Sequence, residues 1–295
     1  MTQGKTNRDK KKSKEKRRYI SWQEAVGIVL KCLVILIFIW PVFWIISTSL
    51  QTMTETNSIP PTFFPKIPQF VNYQNAWNNV SNQGGSMMLY TKNSLIVVVV
   101  SIVLQLLIAI PAAYAFAKYE FRGKNLLFGL VLIALMMPTA ATFIPIYLMM
   151  SRWNLINSLW PQILPTAVDA FAIFLLRQYF MQIDDELLDA AKLDGAGNGR
   201  IIWHVMLPLS KPAMASIALF SFIGKWNDYF WPLIMTNNDR YRTLPIAIAQ
   251  LKEMEGLTNW NTIMAGNVIL LAPILIVYIF MSRQIMEFFA YKGIK

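Results

Sequence analysis

Long apolar runs, separated by short polar stretches, dominate the pattern of this chain. Each run is close to the roughly 20 residues that a helix needs to cross the hydrocarbon core of a membrane. The runs are Gly27–Ser49, Asn93–Ala117, Leu126–Met150, Ser158–Leu176, Pro212–Ile234 and Ile263–Met281. The first follows a basic stretch, but it is longer than a typical signal-peptide core and no small-x-small cleavage site follows it. The pattern therefore predicts an all-α integral membrane protein with six transmembrane helices.

Composition agrees with this class, and the placement of charge predicts the topology. Of the 295 residues, 55% are hydrophobic and 15% charged, with a net charge of +11. With the N-terminus in the cytoplasm, most Lys and Arg residues fall on the inner side, as the positive-inside rule requires. We therefore expect both termini to be cytoplasmic. The basic N-terminal tail is interpreted as a topology signal and a contact for membrane lipid, and nucleic acid is not expected as a partner.

The apolar runs divide the chain into segments. We predict a basic cytoplasmic tail at 1–26, a first span at 27–49 and an extracytoplasmic loop at 50–92. A transmembrane core of five further helices follows at 93–281 and includes a polar inner loop at 182–211, and a second cytoplasmic tail occupies 282–295. The loop between the last two spans, Met235–Thr262, is also expected on the outer side.

The polar inner loop has the pattern of two short helices and a turn. Asp184 is a plausible N-cap of the first helix, and Gly195 can adopt the left-handed conformation that ends it. Asn198 can cap the second helix. Small residues at Ala190 and Ala191 leave room for the backbone of another protein, so the unit either docks into a groove or serves as an amphipathic connector packed on its own bundle.

The spacing within this loop resembles a known signature. Asp189-Ala190-Ala191, three residues, Gly195, nine residues, Val205, one residue and Leu207-Pro208 resemble the EAA signature of permease subunits in bacterial ATP-binding-cassette importers, with aspartate in place of the glutamate. Segments FLLRQYF, LPLSKPA, WNDYFWPL and YRTLP are similar to the maltose-type second permease, in the same order. The C-terminal YKGIK resembles the family's ending only loosely.

The resemblance implies a function and a set of partners. It implies a permease subunit in the bacterial plasma membrane, forming half of the pathway for a carbohydrate such as an oligosaccharide. The implied partners are a second homologous permease, two ATPase subunits and an extracytoplasmic solute-binding protein. The loop between spans four and five would then contain the coupling helix that docks on an ATPase. The implied docking residues are Asp189, Ala190, Ala191, Asp194, Gly195, Leu207 and Pro208.

The sequence lacks the pattern of an ATP site. A P-loop requires GxxxxGK[ST], because its backbone amides hold phosphate while Lys and Ser/Thr reach phosphate and magnesium. Gly4-Lys5-Thr6 has no glycine five residues earlier, Gly123-Lys124 precedes Asn125, and Gly224-Lys225 precedes Trp226. We therefore expect no cofactor on this chain and ATP with Mg on the partner ATPase. One cysteine and one histidine argue against a metal site.

Polar residues inside the spans are candidates for the substrate pathway, since such groups are costly in a membrane. The candidates are Gln105, Asp169, Lys225, Trp226, Asn227, Asp228 and Asn267. Trp226 has an aromatic face of the kind that packs on a sugar ring. Asp169 matches no family position and is therefore the candidate for specificity. In a purely structural alternative, Lys225 pairs with Asp169 or Asp228 and locks the bundle.

Two functions from other classes agree less well with the sequence. A stand-alone secondary transporter driven by an ion gradient would use Asp169 and Lys225 as its coupling pair, but it predicts inverted repeats that the sequence does not show. It also leaves the polar inner loop without a role. No nucleophile, base and orienting group recur within reach on the spans, so we expect a transport subunit rather than an enzyme.

Overall fold

A computed structural model of the protein describes residues 22–81, 86–252 and 259–292. Most of the predicted basic tail, and the last three residues of the second tail, lie outside these ranges. Within them, every regular element is helical. The helices are α1 (Trp22–Ser49), α2 (Met53–Thr56), α3 (Val71–Ser81), α4 (Met87–Lys118), α5 (Lys124–Met136), α6 (Thr139–Arg152), α7 (Trp160–Ile163), α8 (Ala170–Phe180), α9 (Asp185–Leu193), α10 (Asn198–Ile201), α11 (Leu207–Leu209), α12 (Lys211–Trp226), α13 (Phe230–Met235), α14 (Leu244–Gln250) and α15 (Trp260–Lys292).

Four helical segments in the described ranges are long and apolar enough to cross a membrane. These are α1, α4, Trp160–Phe180 and Trp260–Gln284. Two bent pairs raise the count to as many as six: α5 with α6, and Asn198–Leu209 with α12. The predicted all-helical membrane class is confirmed, with four to six candidate spans.

The third predicted span is not one continuous helix. Leu126–Met150 divides into α5 and α6, whose axes are bent by 100°. The break falls at Met137, which is extended with φ −72° and ψ 123°. Pro138 explains this conformation, because the proline ring disfavours the helical region for the preceding residue and proline has no N–H to donate.

The fourth and fifth predicted spans are also interrupted. In the fourth, a 3₁₀ turn at Leu164–Thr166 separates α7 from α8, so Asp169 stands just before a helix rather than in the middle of one. In the fifth, α12 ends at Trp226 and α13 begins at Phe230. The Asp228 carboxylate accepts the Trp231 N–H at 3.2 Å, which stabilises the start of α13.

Two buried clusters hold the bundle together. The first joins the C-terminal half of α4 to α8, α12 and the central part of the polar inner loop, residues 184–208, called the 184–208 loop below. Ala113, Leu176 and Ile217 are almost completely buried in this cluster. The second joins the N-terminal half of α4 to α3, α14, α15 and the end of α12, and includes Tyr90 and Trp226. Helix α1 contributes to neither, and its described side chains are mostly exposed apart from Ser47, Thr48 and Ser49.

The two segments predicted as outer loops contain helices of their own. Segment 50–92 includes α2, α3 and the first six residues of α4, which begins at Met87 rather than at Asn93. The Asn93 amide donates to the Arg240 and Arg242 carbonyls, both at 2.9 Å. Helix α14 is buried along Leu244–Ile248. These segments are therefore part of the packed structure rather than loose connections.

Candidate functional site

Helix α9 of the 184–208 loop ends in a Schellman motif. Gly195 has φ +75°, its N–H donates to the Lys192 carbonyl at 2.9 Å, and the Ala196 N–H donates to the Ala191 carbonyl at 2.9 Å. A residue with a Cβ is strained at this φ, which explains the glycine. Asp184 occupies the N-cap position without a side-chain cap bond, and Gly197 rather than Asn198 is the N-cap of α10.

Buried side chains fix this loop to the bundle. Leu188 on α9 is 3% exposed, and Ile201 and Met206 are fully buried in the first cluster. A π turn at Ile202–Met206 connects α10 to α11. The loop is thus packed firmly on the helices that follow and precede it.

An ion pair connects α9 to the end of α4. The Lys118 ammonium donates to the Ile183 carbonyl at 2.6 Å and to the Asp185 carboxylate at 2.7 Å. The hydrogen bond and charge of Lys118 lower the pKa of the Asp185 carboxyl. On the surface of α9, the hydrogen bond from Lys192 to Asp189, at 2.9 Å, raises the pKa of the Lys192 ammonium. The two shifts therefore favour the charged forms of Asp185 and Lys192.

The predicted docking residues lie mainly on the exposed side of the loop. Asp189, Ala190, Asp194, Gly195 and Pro208 are exposed, whereas Ala191 and Leu207 are half-buried. Leu193 is 90% exposed on the same helix, although it lies outside the motif positions that predict docking. A cavity of about 640 Å³, lined by residues of α4 and α9, lies next to the Lys118 ion pair.

Three predicted pathway residues meet at a second cavity of about 850 Å³. Gln105 comes from α4, Asp169 precedes α8, and Lys225 is near the end of α12. The broken third span contributes Met137 and Thr139 to the same wall. Residues beside the helix breaks and the polar side chains therefore occur together at one cavity.

Hydrogen bonds connect the polar groups of this cavity. The Gln105 amide nitrogen donates to one Asp169 oxygen at 2.6 Å, and the Ser221 hydroxyl donates to the Gln105 carbonyl oxygen at 2.7 Å. The other Asp169 oxygen accepts the Phe171 and Ala172 N–H groups at 2.7 and 3.3 Å, and so caps α8. Sequence reasoning missed Ser221, because a lone serine in an apolar run gives no signal of a partner 116 residues away.

The other four pathway candidates do not line this cavity. Trp226 is fully buried, stacks on Phe222 and donates its indole N–H to the Leu270 carbonyl at 2.8 Å. The expectation that it presents a free aromatic face is therefore wrong for this structure. The Asn227 and Asn267 amides donate to carbonyls one turn back on their own helices, and Asp228 accepts the Trp231 N–H.

Lys225 forms neither of the ion pairs that would lock the bundle. Among the described residues, no carboxylate lies within 4.0 Å of its ammonium, although Asp169 lines the same cavity. Its helix ends one residue later, so Lys225 and Asp228 are not neighbours on one helix face. The lysine therefore lines the cavity with hydrogen-bonding capacity that these residues do not use.

The cavity wall carries polar groups of several chemical kinds. They are an amide, hydroxyls, a carboxylate and an ammonium, each able to hydrogen-bond a ligand. Across the described ranges, no group of three or more His, Cys, Asp or Glu side chains could hold a metal ion.

Comparison with known proteins identifies relatives that match most of the chain. The chain is 32% identical to the arabinooligosaccharides transport system permease protein AraQ of Halalkalibacterium halodurans, over 94% of this chain and 97% of that protein. It is 31% identical to the sn-glycerol-3-phosphate transport system permease protein UgpE of Yersinia enterocolitica, over 84% and 89%. It is 30% identical to the diacetylchitobiose uptake system permease protein NgcG of Streptomyces coelicolor, over 91% and 87%.

A solved structure shares the fold. A bacterial ABC transporter involved in the import of the acidic polysaccharide alginate superposes with a TM-score of 0.77 at 24% identity, covering 88% of this chain and 95% of that one. The profile of the family described as binding-protein-dependent transport system inner membrane component matches residues 105–286. These matches favour a multi-pass permease over a stand-alone secondary transporter. The chain belongs to the family of binding-protein-dependent transport system inner membrane components.

Proposed function

We propose that this chain is one of two membrane subunits of an ATP-driven importer that takes up a carbohydrate delivered by an extracytoplasmic binding protein. In this proposal the chain crosses the membrane six times, with both termini in the cytoplasm. The second subunit is a homologous permease, and two separate ATPases bind ATP and Mg. The transport systems named for its relatives carry arabinooligosaccharides and sn-glycerol 3-phosphate, which supports a sugar or sugar derivative as substrate.

The observation that carries the proposal is the construction of the 184–208 loop. Its apolar side is buried in the first cluster through Leu188, while Asp189, Gly195 and Leu193 are exposed. A helix fixed in this way moves with the bundle, and its exposed side remains available to bind another protein. This favours the docking interpretation over that of a simple connector, although the loop is also packed on its own chain.

The ion pair between Lys118 and Asp185 suggests how movement at the loop reaches the pathway. Lys118 is the last residue of α4, and Gln105 in the cavity wall lies on the same helix. The two residues are 13 positions apart, or about 20 Å along a helix. A displacement of α9 by an ATPase would thus be transmitted along α4, which is one continuous helix from Gln105 to Lys118. In this proposal the chain performs no chemistry on its substrate.

Affinity purification of the tagged chain from native membranes tests the proposal. Three forms are compared: wild type, Gly195→Arg and Gln182→Arg, the last placing the same charge at an exposed position just ahead of the 184–208 loop. We expect a P-loop ATPase and a second permease to accompany the wild type and Gln182→Arg, and the ATPase to be lost from Gly195→Arg. Copurification of no ATPase with the wild type, together with uptake driven by an ion gradient, would reject the importer.

A further inference from the structure

The cavity near Asp169 has the size of a ligand site and unused hydrogen-bonding capacity. Its volume of about 850 Å³ lies within the usual range for small-molecule sites, about 300 to 1,000 Å³. Helices α4, α8 and α12 each contribute to its polar wall, so the site is assembled by tertiary packing.

The polar groups of this wall keep both hydrogen-bond donors and hydrogen-bond acceptors that their described contacts do not use. An ionised carboxylate offers about four acceptor positions, and the described contacts of Asp169 use three of them. Gln105 donates one amide hydrogen to Asp169 and keeps a second. Ser221 gives its only proton to Gln105, which leaves its oxygen as an acceptor. Lys225 adds further donors.

The charges at this wall leave no surplus positive charge. Asp169 and Lys225 are the charged residues among those described around the cavity. If Lys225 is protonated, the two charges sum to zero; if it is neutral, Asp169 leaves a net charge of −1. An anion would therefore add an uncompensated negative charge in a region of low dielectric, where such charges are costly.

We propose that this cavity binds an uncharged saccharide and that Asp169, held by Gln105, is the specificity-determining residue that excludes anionic ligands. A sugar hydroxyl both donates and accepts, so it matches the mixed wall. A phosphate or carboxylate group offers acceptors only, and Asp169 repels it. This inference rests on the proposed function, and it distinguishes among substrates such as those named for the relatives.

Direct binding to the assembled importer complex in lipid nanodiscs tests the inference. The probes are an arabino-oligosaccharide and diacetylchitobiose, which are neutral, and sn-glycerol 3-phosphate and an alginate trisaccharide, which are anionic. Equilibrium dialysis without the binding protein measures affinity for the membrane subunits themselves. We expect at least one neutral probe to bind about tenfold or more tightly than both anions, the factor typical of one hydrogen bond to a charged group.

Asp169→Asn separates specificity from folding. Asparagine can still cap α8 but removes the charge. We expect binding of the neutral probe to weaken about tenfold and binding of the anions to strengthen, a gain that a purely structural role would not produce. Ser216→Ala is the matched control, because Ser216 lies on α12 like Ser221, but its hydroxyl donates to the Pro212 carbonyl at 2.9 Å and it does not line the cavity.

Several outcomes overturn the inference while leaving the proposed function intact. One is tighter binding of an anionic probe to the wild type. Another is an unchanged ratio of neutral to anionic affinity in Asp169→Asn. A third is binding of none of the probes by a complex that still performs ATP-driven uptake. Failure of the ATPases to assemble with the chain would instead reject the proposed function.

Discussion

The 184–208 loop and the cavity around Asp169 are built by opposite strategies. In the loop, the groups that shape α9 lie within a dozen residues of one another, as the bonds from Gly195 and Ala196 to Lys192 and Ala191 show. In the cavity, Gln105 contacts Asp169 across 64 residues and Ser221 across 116. The loop is thus specified locally, whereas the cavity exists only when three helices pack.

The difference extends to how each region uses its charges. On the surface of α9, Lys192 pairs with Asp189 three residues away, and both side chains are more than half exposed. At the cavity, Asp169 is hydrogen-bonded on both oxygens, while Lys225 has no described carboxylate partner. Charge in the loop is solvated and contributes little to stability, whereas charge in the cavity is costly and therefore points to a function.

The largest expected effect concerns the attachment of the loop. Leu188→Ala should lower the free energy of unfolding by about 2–5 kcal/mol, because it removes a side chain that is 3% exposed and leaves a cavity. Denaturation of the purified chain in detergent measures this. Leu193→Ala, on the same helix at 90% exposure, should change stability by less than about 0.5 kcal/mol. Equal effects would show that α9 is not held by Leu188.

The second largest effect is expected from Gln105, whose hydrogen bonds to Asp169 and Ser221 should stabilise the bundle. Gln105→Leu removes the hydrogen bonds that Gln105 makes with the half-buried Asp169 and Ser221 side chains, at a cost of about 1–3 kcal/mol. The same denaturation measurement applies. Ser101→Ala removes a buried hydroxyl for which the described residues provide no partner, and it should be neutral or slightly stabilising. An unchanged stability in Gln105→Leu would mean that the cap on α8 alone satisfies Asp169.

A smaller effect tests the local specification of the loop. Gly195→Ala should cost about 1–2 kcal/mol, because its φ of +75° is unfavourable for a residue with a Cβ. Gly199→Ala is the matched control: its φ is not in the left-handed region and open space surrounds it. Alanine there should be neutral or mildly stabilising. Thermal unfolding of the two variants side by side provides the measurement, and a greater loss in Gly199→Ala would contradict the Schellman assignment.

The smallest expected effect comes from the ion pair between α4 and α9. Lys118→Met should lower stability by less than about 1 kcal/mol, since the Asp185 side chain is 77% exposed. The pKa of Asp185 is lowered in the folded state, so the pair stabilises above the ordinary value of 3.8 and loses its contribution as pH falls through the lower folded pKa. The denaturation midpoints of wild type and Lys118→Met should therefore differ at neutral pH and become equal as the pH is lowered.

Lys124→Met is the control for that titration. Lys124 pairs with Glu120 on the same short stretch and does not reach α9. Transport by the reconstituted complex should fall in Lys118→Met more than in Lys124→Met, because Lys118 alone of the two joins the loop to α4. Equal transport in the two variants would indicate that buried contacts such as Leu188 carry the movement.

Sequence reasoning succeeded where the physical cause is local. Apolar runs of about 20 residues predicted a helical membrane protein, and Gly195 marked the end of α9. It failed at the breaks in the spans. Pro138 lies in the predicted third span, and its steric effect on Met137 is a local signal that a reading by hydropathy alone overlooks. Asp169 likewise caps a helix that hydropathy treats as continuous.

The sequence by itself determined the helical membrane class and the helix–turn–helix of the inner loop, because these depend on hydrophobicity and on bonds between near neighbours. It also determined the family, through its motifs and its similarity to relatives. Only the tertiary structure decided that Trp226 is buried against Phe222, that Lys225 lacks a described carboxylate partner, and that Gln105 joins Asp169 to Ser221. Those outcomes depend on which helix faces meet, and the packing of apolar faces determines that choice over separations that no local pattern encodes.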